Sequence, residues 1–203
     1  MKSQVPRTAL YGFLVVLLAL AGACRLPYKG GAKPVTATQL DENWHRAAPT
    51  PVVLQQNRTD CGLAALAMVA GAWGQRWTLA ELQRSLPATA DGVRLGALRD
   101  YARSHGLIAY AVKGTHKDLL FELERRRPVL LGLILPFDKK KALAHYEVAV
   151  AVDPRDGSIV TLDPATGKYM RRSRDVLETE WKPAGYATLV VVGKGPVASN
   201  STP

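Results

Sequence analysis

Gln55-Gln56-Asn57-Arg58-Thr59-Asp60-Cys61-Gly62-Leu63-Ala64-Ala65-Leu66-Ala67-Met68-Val69 changes character at its midpoint. The second half is helical by pattern, with Leu63, Leu66, Ala67 and Ala70 recurring at three- and four-residue steps. The first half is polar and ends in Asp60, at the place of an N-cap. Cys61 therefore falls in the first turn of a helix. There the unpaired N–H groups and the helix dipole favour an anion, the setting in which a cysteine acts as a thiolate nucleophile. The competing reading is a small buried hydrophobe, since free cysteine is among the most buried residue types. Two downstream residues, His145 and Asp163, weigh the choice toward chemistry.

Both lie in a region rich in strand patterns. Residues 129–135 form an apolar run, and residues 136–144 read as a lysine-rich loop. From His145 to Val152 the sequence alternates as a strand that His145 opens. Asp153-Pro154-Arg155-Asp156-Gly157 is a turn, and residues 158–162 return as the partner strand. In a simple antiparallel hairpin, His145 and Asp163 then stand opposite each other, with Cβ atoms about 5 Å apart. The carboxylate would orient the imidazole and stabilise its protonated form, and the ring would take the proton of Cys61. The backbone N–H of Cys61 supplies one oxyanion donor; Gln55 and Gln56 both qualify as the side-chain amide for a second.

The remaining pattern places helices first and strands later. Thr78-Leu79-Ala80-Glu81 is a capping box opening a short helix stopped by Pro87. Residues 95–105 form another helix, with Gly106 as its C-terminal cap. Residues 107–112 read as a strand and residues 115–127 as an amphipathic helix. A strand at 168–172, a helix at 173–181 and a strand at 186–192 follow. This order predicts an α+β domain, N-terminal helices packed on an antiparallel sheet. A chain of 203 residues, 47% hydrophobic and 22% charged, carries one substantial core and is short for two.

The N-terminus reads as an export signal over residues 1–23. Lys2 and Arg7 precede an apolar run from Ala9 to Ala23. That run ends Leu20-Ala21-Gly22-Ala23-Cys24, which resembles a bacterial lipobox, so Cys24 is the expected lipid-attachment site. Arg25 follows where an aspartate would favour the inner membrane, which leans the expectation toward an outer-membrane or periplasmic location. Residues 24–48 read as a tether rich in Pro and Gly, residues 49–193 as the domain and residues 194–203 as a loose tail. With Cys24 acylated and Cys61 free, no disulfide is expected. Net charge is +10, and setting aside Lys2 and Arg7 lowers it by two, to +8. The basic clusters at 125–127, 139–141 and 171–172 read as solvated surface. An exported chain without a nucleic-acid motif argues against nucleic-acid binding.

These residues together resemble the bacteriocin-processing peptidases, which cleave after double-glycine leaders and have a papain-like fold. The resemblance rests on Gln55 with Asp60-Cys61-Gly62 and Ala64-Ala65-Leu66-Ala67-Met68, on His145-Tyr146-Glu147-Val148-Ala149-Val150, and on Asp163-Pro164-Ala165-Thr166-Gly167. It covers about residues 50–192. The family's glutamine precedes its cysteine by six residues, which selects Gln55 over Gln56. The resemblance implies a cysteine peptidase with Cys61 as nucleophile, His145 as base and then acid, Asp163 orienting His145, and Gln55 at the oxyanion, with no cofactor or metal. It implies a peptide or protein substrate, with an export or secretion system as a further partner and the membrane engaged through the N-terminal lipid. Two departures stand out. Family members are often the cytoplasmic domain of an exporter, whereas this chain reads as exported, and Glu147 occupies a strand position expected to be apolar. The competing functions are a silent peptide-binding module of the same fold, amidase or transferase action on cell-wall peptides, and a purely structural lipoprotein with Cys61 inert.

Overall fold

The computed structural model describes residues 28–138 and 141–193. The proposed signal, Cys24 and the tail from 194 lie outside the described residues.

An eight-stranded antiparallel sheet is the backbone of the domain. Its strands are β1 (Lys33–Val35), β2 (His45–Arg46), β3 (Ile108–Lys113), β4 (Val129–Asp138), β5 (Lys141–Val152), β6 (Ile159–Leu162), β7 (Tyr169–Arg172) and β8 (Ala187–Val192). They lie in the order β1-β7-β6-β5-β4-β8-β3, with β2 paired to β5 off this path. Five helices cover the two faces: α1 (Cys61–Gly71), α2 (Leu79–Ser85), α3 (Leu95–Ser104), α4 (His116–Glu124) and α5 (Arg174–Trp181).

The expected α+β class holds, but the helices are not confined to one N-terminal layer. Helices α1, α2 and α3 bury Leu63, Leu66, Met68, Leu82, Leu98 and Ala102 against Leu130, Val148, Leu162 and Leu189 on one face. Leu119 and Leu123 of α4, with Leu177 and Trp181 of α5, bury the other face against Val129, Leu131, Leu133 and Ala149. Strands β4 and β5 feed both clusters by alternation, so the central sheet is apolar on both sides.

Local signals place the helix starts well. Thr78 accepts from Glu81 N–H, and Glu81 reaches back to Thr78, completing the expected capping box. Thr115 and Asp118 do the same for α4. That helix ends at Glu124 rather than 127, because the chain turns out of helical conformation at Arg126 (φ 60°).

Three differences from the sequence reading affect the site. First, residues 136–144 are not a loop: β4 and β5 continue as a hairpin to Asp138 and Lys141. His145 is therefore the fifth residue of β5 and pairs with Leu133, rather than opening the strand. Second, β5 and β6 change register between Ala149 and Ala151. Extending the pairing Val148↔Leu162 by one residue puts Glu147, not His145, opposite Asp163. Third, the stretch read as a tether is laid onto the sheet from Tyr28 on. Its Lys33–Val35 pairs with β7 and its His45–Arg46 with β5, while Ala47 N–H donates to Val150 O.

Candidate active site

Cys61 sits where the pattern places it, at the start of α1, 6% exposed. Asp60 occupies the N-cap position without capping the helix through its side chain. Its Oδ2 instead accepts from Asn57 N–H (2.9 Å), Asn57 Nδ2 (3.1 Å) and Gln83 Nε2 (2.9 Å). Asp60 thus fixes the loop that delivers Cys61, and the helix-start N–H groups are left for other acceptors.

His145 is buried and its Nε2 lies 2.8 Å from Asp163 Oδ1. A carboxylate only accepts, so Nε2 carries the hydrogen, and in the neutral ring Nδ1 is left as the acceptor. Cys61 lines the same cavity as the ring. Burial works against charge on the ring. The Asp163 bond, the neighbouring Cys61 and the negative field of Glu147 outweigh it and push His145 up to about 10.

Asp163 is held by its own turn. Its Oδ1 accepts from Ala165 N–H (2.8 Å) and its Oδ2 from Thr166 Oγ1 (2.7 Å), while its backbone O takes Gly167 N–H at 2.7 Å. Gly167 has φ 68°, the left-handed geometry that closes this turn. Burial would raise the Asp163 carboxyl, but the bonds from His145, Thr166 and Ala165 hold it below its ordinary value.

The pair titrates with opposite signs. His145 binds its proton more tightly in the folded state, so its contribution is complete below pH about 6.5 and is lost as pH rises toward about 10. Asp163 contributes above pH about 3.9 and loses its contribution as the pH falls below that. Chemical denaturation across pH 3–10 is expected to show stability falling at both ends. The alkaline decline should be smaller in His145→Ala.

Gln55 borders the site from the other side. Its backbone N–H donates to Pro164 O (2.9 Å), tying it to the Asp163 turn. Its side-chain Oε1 is buried and has no hydrogen-bond partner among the described residues. Two cavities meet at His145. One, about 530 Å³, is lined by Cys61, Val93, Gly132 and Tyr146; the other, about 980 Å³, by Gln55, Asp163, Leu135, Phe137 and Met170. The structure therefore brings Cys61, His145 and Asp163 together. Gln55 shares a cavity with His145 and Asp163, and Cys61 lines the other. Gln56 is exposed.

Tyr146 escaped sequence reasoning. Burial together with the charge at Cys61 pushes its hydroxyl up to about 12. Two glycines admit its ring. A Cβ on Gly62 would come within 2.9 Å of Tyr146 Cδ2, and one on Gly132 within 2.9 Å of the Ala187 Cβ and 3.3 Å of Tyr146 Cε1. Gly62→Ala is expected to destabilise by about 1–3 kcal/mol through overpacking, read by urea denaturation.

Arg172 corrects the reading of the basic clusters as solvated surface. It is 1% exposed and bonds Glu147 through NH1 (2.8 Å) and NH2 (2.9 Å), and Glu180 through Nε (2.7 Å). Of the same clusters, Lys139 and Lys140 lie outside the described residues. Ligand atoms of His145, Glu147 and Asp163 lie within 4.8 Å of one another, close enough to hold a metal ion. The guanidinium already bonds both Glu147 oxygens, so a second cation there would meet a positive neighbour. The described part of the chain contains one free cysteine, Cys61.

A model of the Peptidase C39 family matches residues 49–193. The chain is 32% identical over 140 residues to the pediocin PA-1 transport/processing ATP-binding protein of Pediococcus acidilactici, covering 69% of this chain and 18% of that protein. It is also 32% identical over 134 residues to the colicin V secretion/processing ATP-binding protein of Escherichia coli, covering 66% and 17%. The match thus spans less than a fifth of these relatives. Among solved structures, the peptidase domain of Streptococcus ComA, a bi-functional ABC transporter, aligns with TM-score 0.58 at 22% identity, covering 72% of this chain and all of that one. A double-glycine-motif protease from an AMS/PCAT transporter, solved with its leader peptide, aligns with TM-score 0.57 at 20% identity, covering 79% of this chain and 98% of that one. At these identities the structural likeness carries the fold.

Proposed function

The chain belongs to the peptidase C39 family and has the papain-like cysteine peptidase fold, and from that premise we propose that it hydrolyses peptide bonds through Cys61, His145 and Asp163. The observation that carries the proposal is the buried His145–Asp163 bond with Cys61, at a helix start, lining the same cavity as the ring. His145 takes the thiol proton and Cys61 attacks the carbonyl carbon of the scissile peptide. The negative oxygen is met by two donors, the Cys61 N–H and the Gln55 Nε2–H. His145 then gives its proton to the departing amine, leaving a thioester. Water, deprotonated by His145, hydrolyses the thioester and restores the thiol.

The relatives support the substrate class: their names couple processing to transport or secretion, and one structural neighbour was solved with a leader peptide. We assign a peptide substrate lying across the two cavities that meet at His145. Export through residues 1–23 and lipid attachment at Cys24 belong to the same proposal, on the strength of the basic, apolar and small-residue pattern before Cys24. An outer-membrane or periplasmic place follows from Arg25.

The test is alkylation of Cys61 by iodoacetamide between pH 4 and 9, beside His145→Ala, with Cys24 replaced by Ser in both. The expected result is rapid reaction well below pH 8 in the parent protein, slowed by the substitution. A thiol reacting as an ordinary one, with a midpoint near about 8.5 in both proteins, would overturn the proposal.

A further inference from the structure

Behind His145, away from Cys61, runs a buried line of alternating charge. Asp163 bonds His145, and Glu147 lies on the same strand two residues on, with its carboxylate within 4.8 Å of both. Arg172 bonds Glu147 through two nitrogens and Glu180 through a third. Thr161 Oγ1 donates to Glu147 and accepts from Arg172 NH1 (2.7 Å). The Tyr28 hydroxyl donates to Glu180 at the far end and accepts from Ala32 N–H (3.0 Å). Glu147, Arg172, Glu180 and Thr161 are all at most 2% exposed.

Charge counting gives this line a direction. Asp163, Glu147 and Glu180 are three buried carboxylates, and Arg172 is the one buried permanent cation among them. Three anions against one cation leave two excess negative charges, and buried excess charge is costly. His145 stands between Asp163 and Glu147, and its protonated form lowers that excess to one. We propose that Glu147 is a positioning residue for the reaction, its Arg172-held carboxylate keeping the Asp163-oriented His145 ring protonated beside Cys61.

This rests on the assignment of Cys61, His145 and Asp163 above. Other groups face the ring as well: Cys61 from α1, Asp163 from the β6–β7 turn, and Arg58 and Lys168 across the cavities. Arg58 and Lys168 are exposed and screened by water, whereas Glu147 acts through the buried interior. Glu147 is therefore the buried anion that acts on His145 from behind, beyond Asp163 and Cys61.

The test is a ring-nitrogen NMR titration of His145 in the full-length protein between pH 5 and 11, assigned with His145→Ala. In Glu147→Gln, which keeps the shape and removes the charge, the midpoint is expected to fall by about one pH unit or more relative to the parent. Glu147→Asp, which keeps the charge, should restore most of that drop. An unmoved midpoint in folded Glu147→Gln overturns the inference. If that variant does not fold, the same reading is made on Arg172→Gln, which leaves the Glu147 carboxylate without its cation and is expected to raise the midpoint; an unmoved midpoint there overturns it equally. A parent protein whose His145 titrates near its unperturbed value of about 6.5 would instead overturn the catalytic assignment itself, so the two failures are separable.

Discussion

His145→Ala is expected to lower kcat/KM for any peptide the parent protein cleaves by about 10⁴-fold, with the fold intact. The imidazole does three things that no neighbour replaces. It receives the Cys61 proton, delivers it to the departing amine, and holds charge beside the thiolate. Its geometry is set by Asp163 at 2.8 Å, and Cys61 lines the same cavity. Tyr146 is a poor substitute base, since burial keeps its hydroxyl protonated to about pH 12. Steady-state rates on a peptide library, with circular dichroism as the fold control, check the loss. A fall of less than about tenfold would remove His145 from the mechanism.

Arg172→Met carries the largest expected effect on stability, a loss of about 3–5 kcal/mol in urea denaturation at pH 7. The substitution keeps much of the side chain's bulk and removes the one cation shared by Glu147 and Glu180. Both carboxylates are essentially sealed from water, so neither recovers hydration. The Tyr28 hydroxyl still serves Glu180, and Thr161 still serves Glu147, but neither supplies charge. Lowering the pH should recover part of the loss, because protonating either carboxyl removes the uncompensated charge. A loss below about 1 kcal/mol would mean that water or another cation reaches the pair.

What the sequence made legible was mostly local. The helix starting at Cys61, the Thr78 box and the turn at Asp163 each announce themselves within a few residues. The partnership of His145 and Asp163 was also readable, though for a slightly wrong reason. The hairpin register that pairs Val152 with Ile159 would put Val148 opposite Asp163, the shift between Ala149 and Ala151 moves that place to Glu147, and the bond to His145 forms on the diagonal. No periodic pattern reports such a shift, because the residues on either side still alternate. Two short strands, of three and two residues, were invisible in the proline- and glycine-containing stretch before the domain, since their contribution is backbone pairing without an apolar signature. Arg172 was hidden by its neighbour. Arg171 is largely solvent-facing and Arg172 is not, and only the strand's alternation, once Tyr169–Arg172 is known to be paired, separates the two.

The stretch laid down along the sheet from Tyr28 sets the height at which the enzyme would work. A chain attached to a bilayer at Cys24 has four peptide steps before Tyr28, whose ring packs against Phe137 and whose hydroxyl is bound to Glu180. At about 3.5 Å per residue those steps span at most about 14 Å, where a free linker running to residue 48 would span about 85 Å. On the proposed Cys24 anchor, the domain would be held to a thin layer next to the bilayer, and a peptide would become accessible by arriving at that surface rather than by diffusing nearby. Lengthening the segment between Cys24 and Tyr28 would widen that layer while leaving Cys61, His145 and Asp163 untouched.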